Sequence, residues 1–250
     1  MTPELEALRL ENQRLQAELA QAKAALEEFT SSVSHDLRAS LRHVTAFVKI
    51  IREDLSDLSP APLPVLAHLD TVAHASGQMG LQIDGLMELA RLNRVELAPA
   101  ALDFGQLAHD VWASLAPSVA GRSAAWQLAP DFPPLQADAA LVRQLLQHLL
   151  GNALKFSAAR ECIQIEVSWA LHASGQCAIT VKDNGAGFNP QYVDKLFHAF
   201  QRLHSAKECP GIGMGLALCR KIVQRHGGTM WASGARDAGC SVTFTLPLAE

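Results

Sequence analysis

The chain has 250 residues and a mass of 26.9 kDa, room for one or two domains at roughly 100–200 residues each. Hydrophobic residues at 49% against 18% charged exclude a wholly disordered chain, and a net charge of −4 with a pI near 6.2 excludes a polybasic field for nucleic acid or anionic lipid. The start MTPELEALRLENQ is too polar for a signal peptide, no apolar run approaches the roughly 18–20 residues of a membrane helix, and Cys162, Cys177, Cys209, Cys219 and Cys240 form no Cys-x-x-Cys pair, so a cytoplasmic chain with reduced thiols is expected.

Residues 1–30 lack Gly and are rich in Glu, Ala, Leu and Gln. Leu5, Asn12, Leu19 and Leu26 fall at heptad position a, and Leu8, Leu15, Ala22 and Phe29 at d, which predicts a parallel coiled coil over 1–30. Glu4 with Arg9, and Glu18 with Lys23, take g and e′ places that pair across such a dimer. Helix continues over 31–58 with a stripe of Val33, Leu37, Leu41, Val44, Val48, Ile51 and Leu55, until Ser59-Pro60-Ala61-Pro62-Leu63-Pro64 breaks it. A second helical pattern runs from Leu66 to Leu92, weakened by Gly77, Gly80 and Gly85. Two helices around a break predict an antiparallel hairpin, and two copies a four-helix bundle. After a linker at 98–101, the pattern predicts helices over 104–115, 139–156 and 213–226, and strands over 164–169, 178–182 and 241–246.

Four constellations carry chemistry. In Ser34-His35-Asp36-Leu37-Arg38, His35 points away from the apolar stripe, and Arg38 and Arg42 share its outward side. A neutral imidazole there suits attack on phosphorus, with Asp36 orienting the ring or taking its other proton and the arginines offsetting phosphate charge. A solvated helix face would read the same in isolation. In His148-Leu149-Leu150-Gly151-Asn152-Ala153-Leu154-Lys155-Phe156, His148, Asn152 and Lys155 or Phe156 share one helical face, where a carboxamide oxygen suits Mg²⁺ and a lysine suits phosphate. Asp183-Asn184-Gly185-Ala186-Gly187 places a carboxylate at a strand end before a tight turn, suited to accept from an exocyclic amino group. Gly211-Ile212-Gly213-Met214-Gly215-Leu216 opens a helix whose free N–H groups suit phosphate oxygens, yet it is neither a P-loop nor a Rossmann fingerprint.

In order and spacing these segments resemble the sensor histidine kinases of two-component systems, from about Phe29 to Leu248. The segment at His35 resembles that family's H box, 148–156 its N box, 183–187 its G1 box, Phe197-His198-Ala199-Phe200 its F box and 211–216 its G2 box. The segments Phe200-Gln201-Arg202-Leu203-His204 and Arg225-His226-Gly227-Gly228-Thr229-Met230-Trp231 look most like phytochrome-type kinases. The resemblance implies an α+β chain: coiled coil at 1–30, dimerisation and phosphoacceptor domain at 31–97, and a Bergerat-type ATP-binding α/β sandwich at 98–250. It implies ATP and Mg²⁺ as cofactors, His35 as phosphoacceptor with Asp36 as its acid–base neighbour, and Asn152 as metal ligand. Lys155 would contact phosphate and Asp183 would read adenine. His148, Phe156, Gly185, Gly187, Arg202, Gly211, Gly213, Gly215 and Leu216 would shape the pocket and its lid, with Phe197 and Phe200 as lid anchors. Implied partners are a second copy, a response-regulator receiver domain and an upstream sensor protein, or the chain is a module cut from a longer kinase; neither nucleic acid nor membrane insertion is implied.

The family's Pro five residues after the acceptor is Ser40 here, so a weaker helix kink is expected. Ala39, where phosphatase-active members carry Thr or Asn, offers no group to hold an attacking water, so weak phosphatase activity is expected. His148 replaces an Asn, and imidazole there binds metal or relays a proton. These departures supply the rival reading, a nucleotide-binding dimeric scaffold or phosphorelay adaptor.

Overall fold

A computed structural model describes residues 3–56, 63–119, 121–173, 175–203, 209 and 211–249. The chain divides into two compact units, 1–93 and 94–250.

The first unit is two long helices, α1 (Pro3–Ser56) and α2 (Leu63–Arg94). The heptad stretch and the His35 segment therefore lie on one continuous helix. Ser40 does not interrupt it: its Oγ donates to the Asp36 carbonyl at 3.1 Å, the oxygen that a proline here would crowd. Arg38 meets Asp84 at 2.6 Å and Arg52 meets Asp70 at 2.7 Å, so numbers rise along α1 as they fall along α2, the register of an antiparallel hairpin. Between those pairs a Cβ built on Gly80 would lie 3.4 Å from Leu41 Cδ2, so the missing side chain brings the helices close. That packing outweighs the glycines' poor helix propensity. Of the expected Pro-rich break, residues 57–62 lie outside the described residues, while Pro64 occupies the first turn of α2, where its missing N–H costs little. None of the described helices is long and apolar enough to cross a membrane.

The second unit is α+β. In chain order it holds β1 (Ala100–Leu102), α3 (Phe104–Leu115), β2 (Ser123–Leu128), β3 (Leu135–Ala137), α4 (Ala139–Phe156), β4 (Cys162–His172), β5 (Gln176–Asp183), α5 (Gly215–Arg225), β6 (Met230–Gly234) and β7 (Cys240–Pro247). A five-stranded mixed sheet has the order β2-β4-β5-β7-β6, parallel between β2 and β4 and antiparallel elsewhere. Ile163, Ile165 and Val167 of β4 are buried while Gln164 and Glu166 between them are exposed, the period of two that puts one face of the sheet against helices. Helices α3, α4 and α5 pack side by side, with α4 against β4 and β5 and α5 against β7.

The expected linker at 98–101 needs correction. Ala100 and Ala101 belong to β1, paired antiparallel with β3 in a separate two-stranded sheet. The third helix also starts later than expected, at Gly215, because Gly211 and Gly213 have positive φ that a helix does not admit. Two capping arrangements fix the helices beside the site. Asp138 caps α4 by accepting from the N–H groups of Ala140 and Leu141, and also from Ala98. Burial pushes its carboxyl up, but these hydrogen bonds outweigh that and hold it below its ordinary value. His226, at the end of α5, accepts from the Asp138 N–H at Nε2 while Nδ1 donates to the Ile222 carbonyl, so one buried imidazole pins the start of α4 to the end of α5.

Candidate functional site

In the second unit the end of α4 brings the polar N-box residues together. Lys155 Nζ donates to Asn152 Oδ1 at 3.3 Å and lies 4.3 Å from the Phe156 ring centroid. Burial depresses the Lys155 ammonium, nearby Cys209 raises it, and the Arg202 charge lowers it further. A Cβ built on Gly215 would lie 3.5 Å from His148 Nδ1 and 3.8 Å from Asn152 Nδ2, which places the start of α5 against both. Met214, its N-cap, supplies no side-chain hydrogen bond to the first-turn N–H groups, where Leu216 also sits.

Asp183 ends β5. Its Oδ1 accepts from the Gly185 N–H at 2.8 Å, and burial raises the carboxyl while the N–H groups of Gly185 and Cys240 pull it back in part. The Ala186 N–H donates to the Phe156 carbonyl at 3.1 Å, closing the turn onto the end of α4. Glycine is required at 185, since a Cβ there would stand 2.8 Å from that carbonyl. Gly187 has φ +60°. Asn184 is occupied structurally: its side chain accepts from the Gln164 N–H and donates to the Cys162 carbonyl.

The F-box and G2 segments join through the Phe200 N–H, which donates to the Gly213 carbonyl at 3.0 Å. Gly213 has φ +74°, and a Cβ there would lie 2.5 Å from the Gln201 carbonyl. Of the two expected lid anchors, Phe197 is buried, whereas Phe200 is 42% exposed with φ +63°. Arg202 donates to the Cys209 carbonyl at 2.6 Å. His204 lies outside the described residues.

Part of this set borders a cleft of about 790 Å³, the size of a small-molecule site, whose lining includes Lys155 and Phe156 but not His148, Asn152, Asp183, Gly185, Gly187, Phe200, Arg202 or the glycines and Leu216 at the start of α5. Lys155, Phe156, Ala186 and Cys209 line it, joined by Tyr192 and by Arg236 and Asp237 of the β6–β7 turn, none of which the sequence singled out. Their contributions come from tertiary placement, for which a local pattern carries no signal.

In the first unit, His35 and Asp36 are exposed, with side chains 73% and 79% accessible, and His35 Nδ1 lies 3.3 Å from Asp36 Oδ1. Their neighbour Ser34 is buried. Arg42 is exposed on the same helix. Arg38 is not free for that role, because its Nε and Nη2 both donate to Asp84 Oδ1 of α2. The expected heptad residues Leu8, Asn12, Leu15, Leu19, Ala22 and Phe29 are exposed in the single chain, and the side chains of Leu5 and Leu26 lie outside the described set.

Residues 137–250 match the family described as "Histidine kinase-, DNA gyrase B-, and HSP90-like ATPase". The chain is 32% identical over 230 residues to the methanogenesis regulatory histidine kinase FilI of Methanothrix harundinacea (strain 6Ac), covering 92% of this chain and 25% of that protein. It is 29% identical over 235 residues to cyanobacterial phytochrome A of Nostoc sp. (strain PCC 7120), covering 94% of this chain and 30% of that one. It thus spans between a quarter and a third of these relatives' length. Full-length ShkA, solved in complex with AMPPNP, shares the fold at TM-score 0.63 and 23% identity, over 89% of this chain and 46% of that one. Residues 137–250 thus belong to the histidine kinase-, gyrase B- and HSP90-like ATPase family, and over most of its length the chain is similar to the cores of sensor histidine kinases.

Proposed function

We propose that this chain is an ATP-dependent protein-histidine autokinase that works as a homodimer and passes its phosphoryl group to an aspartate on a response-regulator receiver domain. One observation carries the reading: a solvent-facing imidazole has one nitrogen against a carboxylate and the other unengaged by any hydrogen bond found in the described residues, in a chain that also holds an ATPase-family cleft. With Nδ1–H donating to Asp36, the Nε2 lone pair of His35 attacks the γ-phosphorus of ATP. The Nε2–P bond forms, the bond from phosphorus to the β,γ-bridging oxygen breaks, and ADP leaves. Asp36 stabilises or takes the Nδ1 proton as positive charge builds on the ring. In the second step a receiver carboxylate oxygen attacks phosphorus and the N–P bond breaks.

Asp183, at the end of β5, accepts from the adenine amino group, Lys155 in the cleft pairs with phosphate oxygens, and the N–H groups at the start of α5 face the triphosphate. Mg²⁺ fits Asn152, because this ion keeps most of its ligands as water and substrate phosphate and needs few protein oxygens; there it would neutralise charge on the transferring phosphoryl group. Besides the His35 nucleophile and the Asp36 carboxylate, the protein supplies mainly alignment and charge neutralisation. Residues 1–30 pair in parallel with a second copy and 31–97 complete a four-helix bundle, which the exposed apolar seam of α1 supports. Ala39 leaves no hydrogen-bonding side chain at the position four residues after the acceptor, in keeping with weak phosphatase activity.

Labelled ATP with Mg²⁺ should give an acid-labile, alkali-stable adduct that chases onto at least one receiver domain of a panel. An unlabelled protein that still binds ADP tightly would favour the scaffold reading, to which His148 and Ala39 lend support.

A further inference from the structure

Arg160 lies in the loop between α4 and β4, outside every segment considered above. Its Nε donates to the Asn184 carbonyl at 2.8 Å, and its Nη2 donates to the carbonyls of Gly185 at 2.9 Å and Asp237 at 2.8 Å. Backbone oxygens from two separate turns thus converge on one guanidinium, whose planar array of donors suits this geometry and a lysine's does not. The Asp237 carboxylate is 3.9 Å away and 90% exposed, so charge pairing is secondary. The loop carrying Arg160 is itself fastened, since Arg122 Nη2 donates to the carbonyls of Ala158 and Arg160. Both tethered turns border the cleft: Ala158 and Ala159 line it beside Arg160, Ala186 from one turn, and Arg236 and Asp237 from the other.

One peptide plane connects Arg160 to the carboxylate proposed to read adenine. The Asn184 carbonyl that receives Arg160 Nε and the Gly185 N–H that donates to Asp183 Oδ1 at 2.8 Å belong to the same rigid amide. Fixing the oxygen fixes the direction of the N–H, and a charged donor on the carbonyl strengthens the hydrogen bond made by that N–H. Gly185 is held again from its carbonyl, by Arg160 and by the Gly239 N–H at 3.1 Å.

We propose that Arg160 is a positioning residue for base recognition: it locks the 184–185 peptide, orients the Asp183 carboxylate through it, and ties the β6–β7 turn to the same rim. The inference rests on the reading of Asp183 as the adenine contact, but its test requires no phosphoryl transfer. Full-length Arg160→Met and Arg160→Lys are compared with wild type by calorimetry with ADP, GDP and tripolyphosphate, and by hydrogen exchange without nucleotide. In Arg160→Met the Kd for ADP should rise on the order of tenfold, the weight of one charge-assisted hydrogen bond. The preference for ADP over GDP should shrink, tripolyphosphate affinity should hold, and exchange should quicken at 184–186 and 237–239. Arg160→Lys should fall between and carries the test if the methionine variant does not fold. A folded variant with an unchanged ADP-to-GDP ratio, or one weakened equally for all ligands, overturns the proposal. Asp183→Asn separates the two layers: if it leaves the ratio unchanged, the adenine assignment falls, and if it collapses the ratio while Arg160→Met does not, only the role of Arg160 falls.

Discussion

The two units bury apolar surface in different ways. In the 94–250 unit, Phe104, Phe244, Ile163 and Ile179 are fully buried and the sheet closes on three helices. In the helical unit, Phe47 is 63% exposed, and Leu37, Val44, Ile50 and Ile51 also face solvent. An ATPase-type sandwich of this kind completes its core within one chain, whereas an antiparallel pair of helices has too little interior to do so. On the proposed reading the cleft rests on intrinsic stability, while the helix carrying His35 would depend on association, whose contribution scales with concentration.

Substitutions can break this contrast at several strengths. Phe244→Ala should have the largest effect, a loss of about 3–5 kcal/mol in the sandwich transition independent of protein concentration, read by denaturant unfolding. Asp183→Asn should weaken ADP binding by about 2–3 kcal/mol while leaving the oligomeric state unchanged. Its pH dependence carries a definite sign. Because burial raises the folded carboxyl above its ordinary 3.8, Asp183's contribution to the stability of the nucleotide-free protein is fully present below pH 3.8 and is lost as pH rises through the folded value. ADP binding should run the other way, tightening across that window as the carboxylate forms, and Asp183→Asn should flatten this trend. Phe47→Ala should leave the sandwich melting unchanged and shift the concentration dependence of the helical transition, measured by melting at several concentrations. The smallest effect belongs to the Arg38–Asp84 pair, where a double-mutant cycle should give about 0.2–1 kcal/mol, because both side chains are substantially exposed.

Long elements with strong periodicity were legible from sequence. The helices at 104–115 and 139–156 have the bounds that their patterns predict, and the three expected strands extend by one to two residues at most ends. Strands β1 and β3 were not legible, because three residues apiece are too few to reveal a period and they pair across more than 30 intervening positions. Strand β2 is a half-exposed edge of Ser, Ala, Trp, Gln and Leu, too mixed to show a period of two. The chemistry-bearing residues were readable where spacing alone brings them together, as with Asn152 and Lys155 on one helix face, or Asp183 at a strand end before glycines. Arg38's partner was not, since hairpin register is a tertiary property. Neither was Arg160, whose partners are carbonyls that any residue would supply.

Phosphorylation of the helical unit from nucleotide held by the sandwich is the central claim. Intact-mass measurement of the full chain after incubation with ATP and Mg²⁺, with site mapping under alkaline conditions, tests it most directly. The account predicts one phosphoryl group per chain on His35, absent in His35→Gln although that variant binds ADP as wild type does. Phosphate retained in His35→Gln, or none on His35 in a dimeric wild type saturated with ATP, would contradict it.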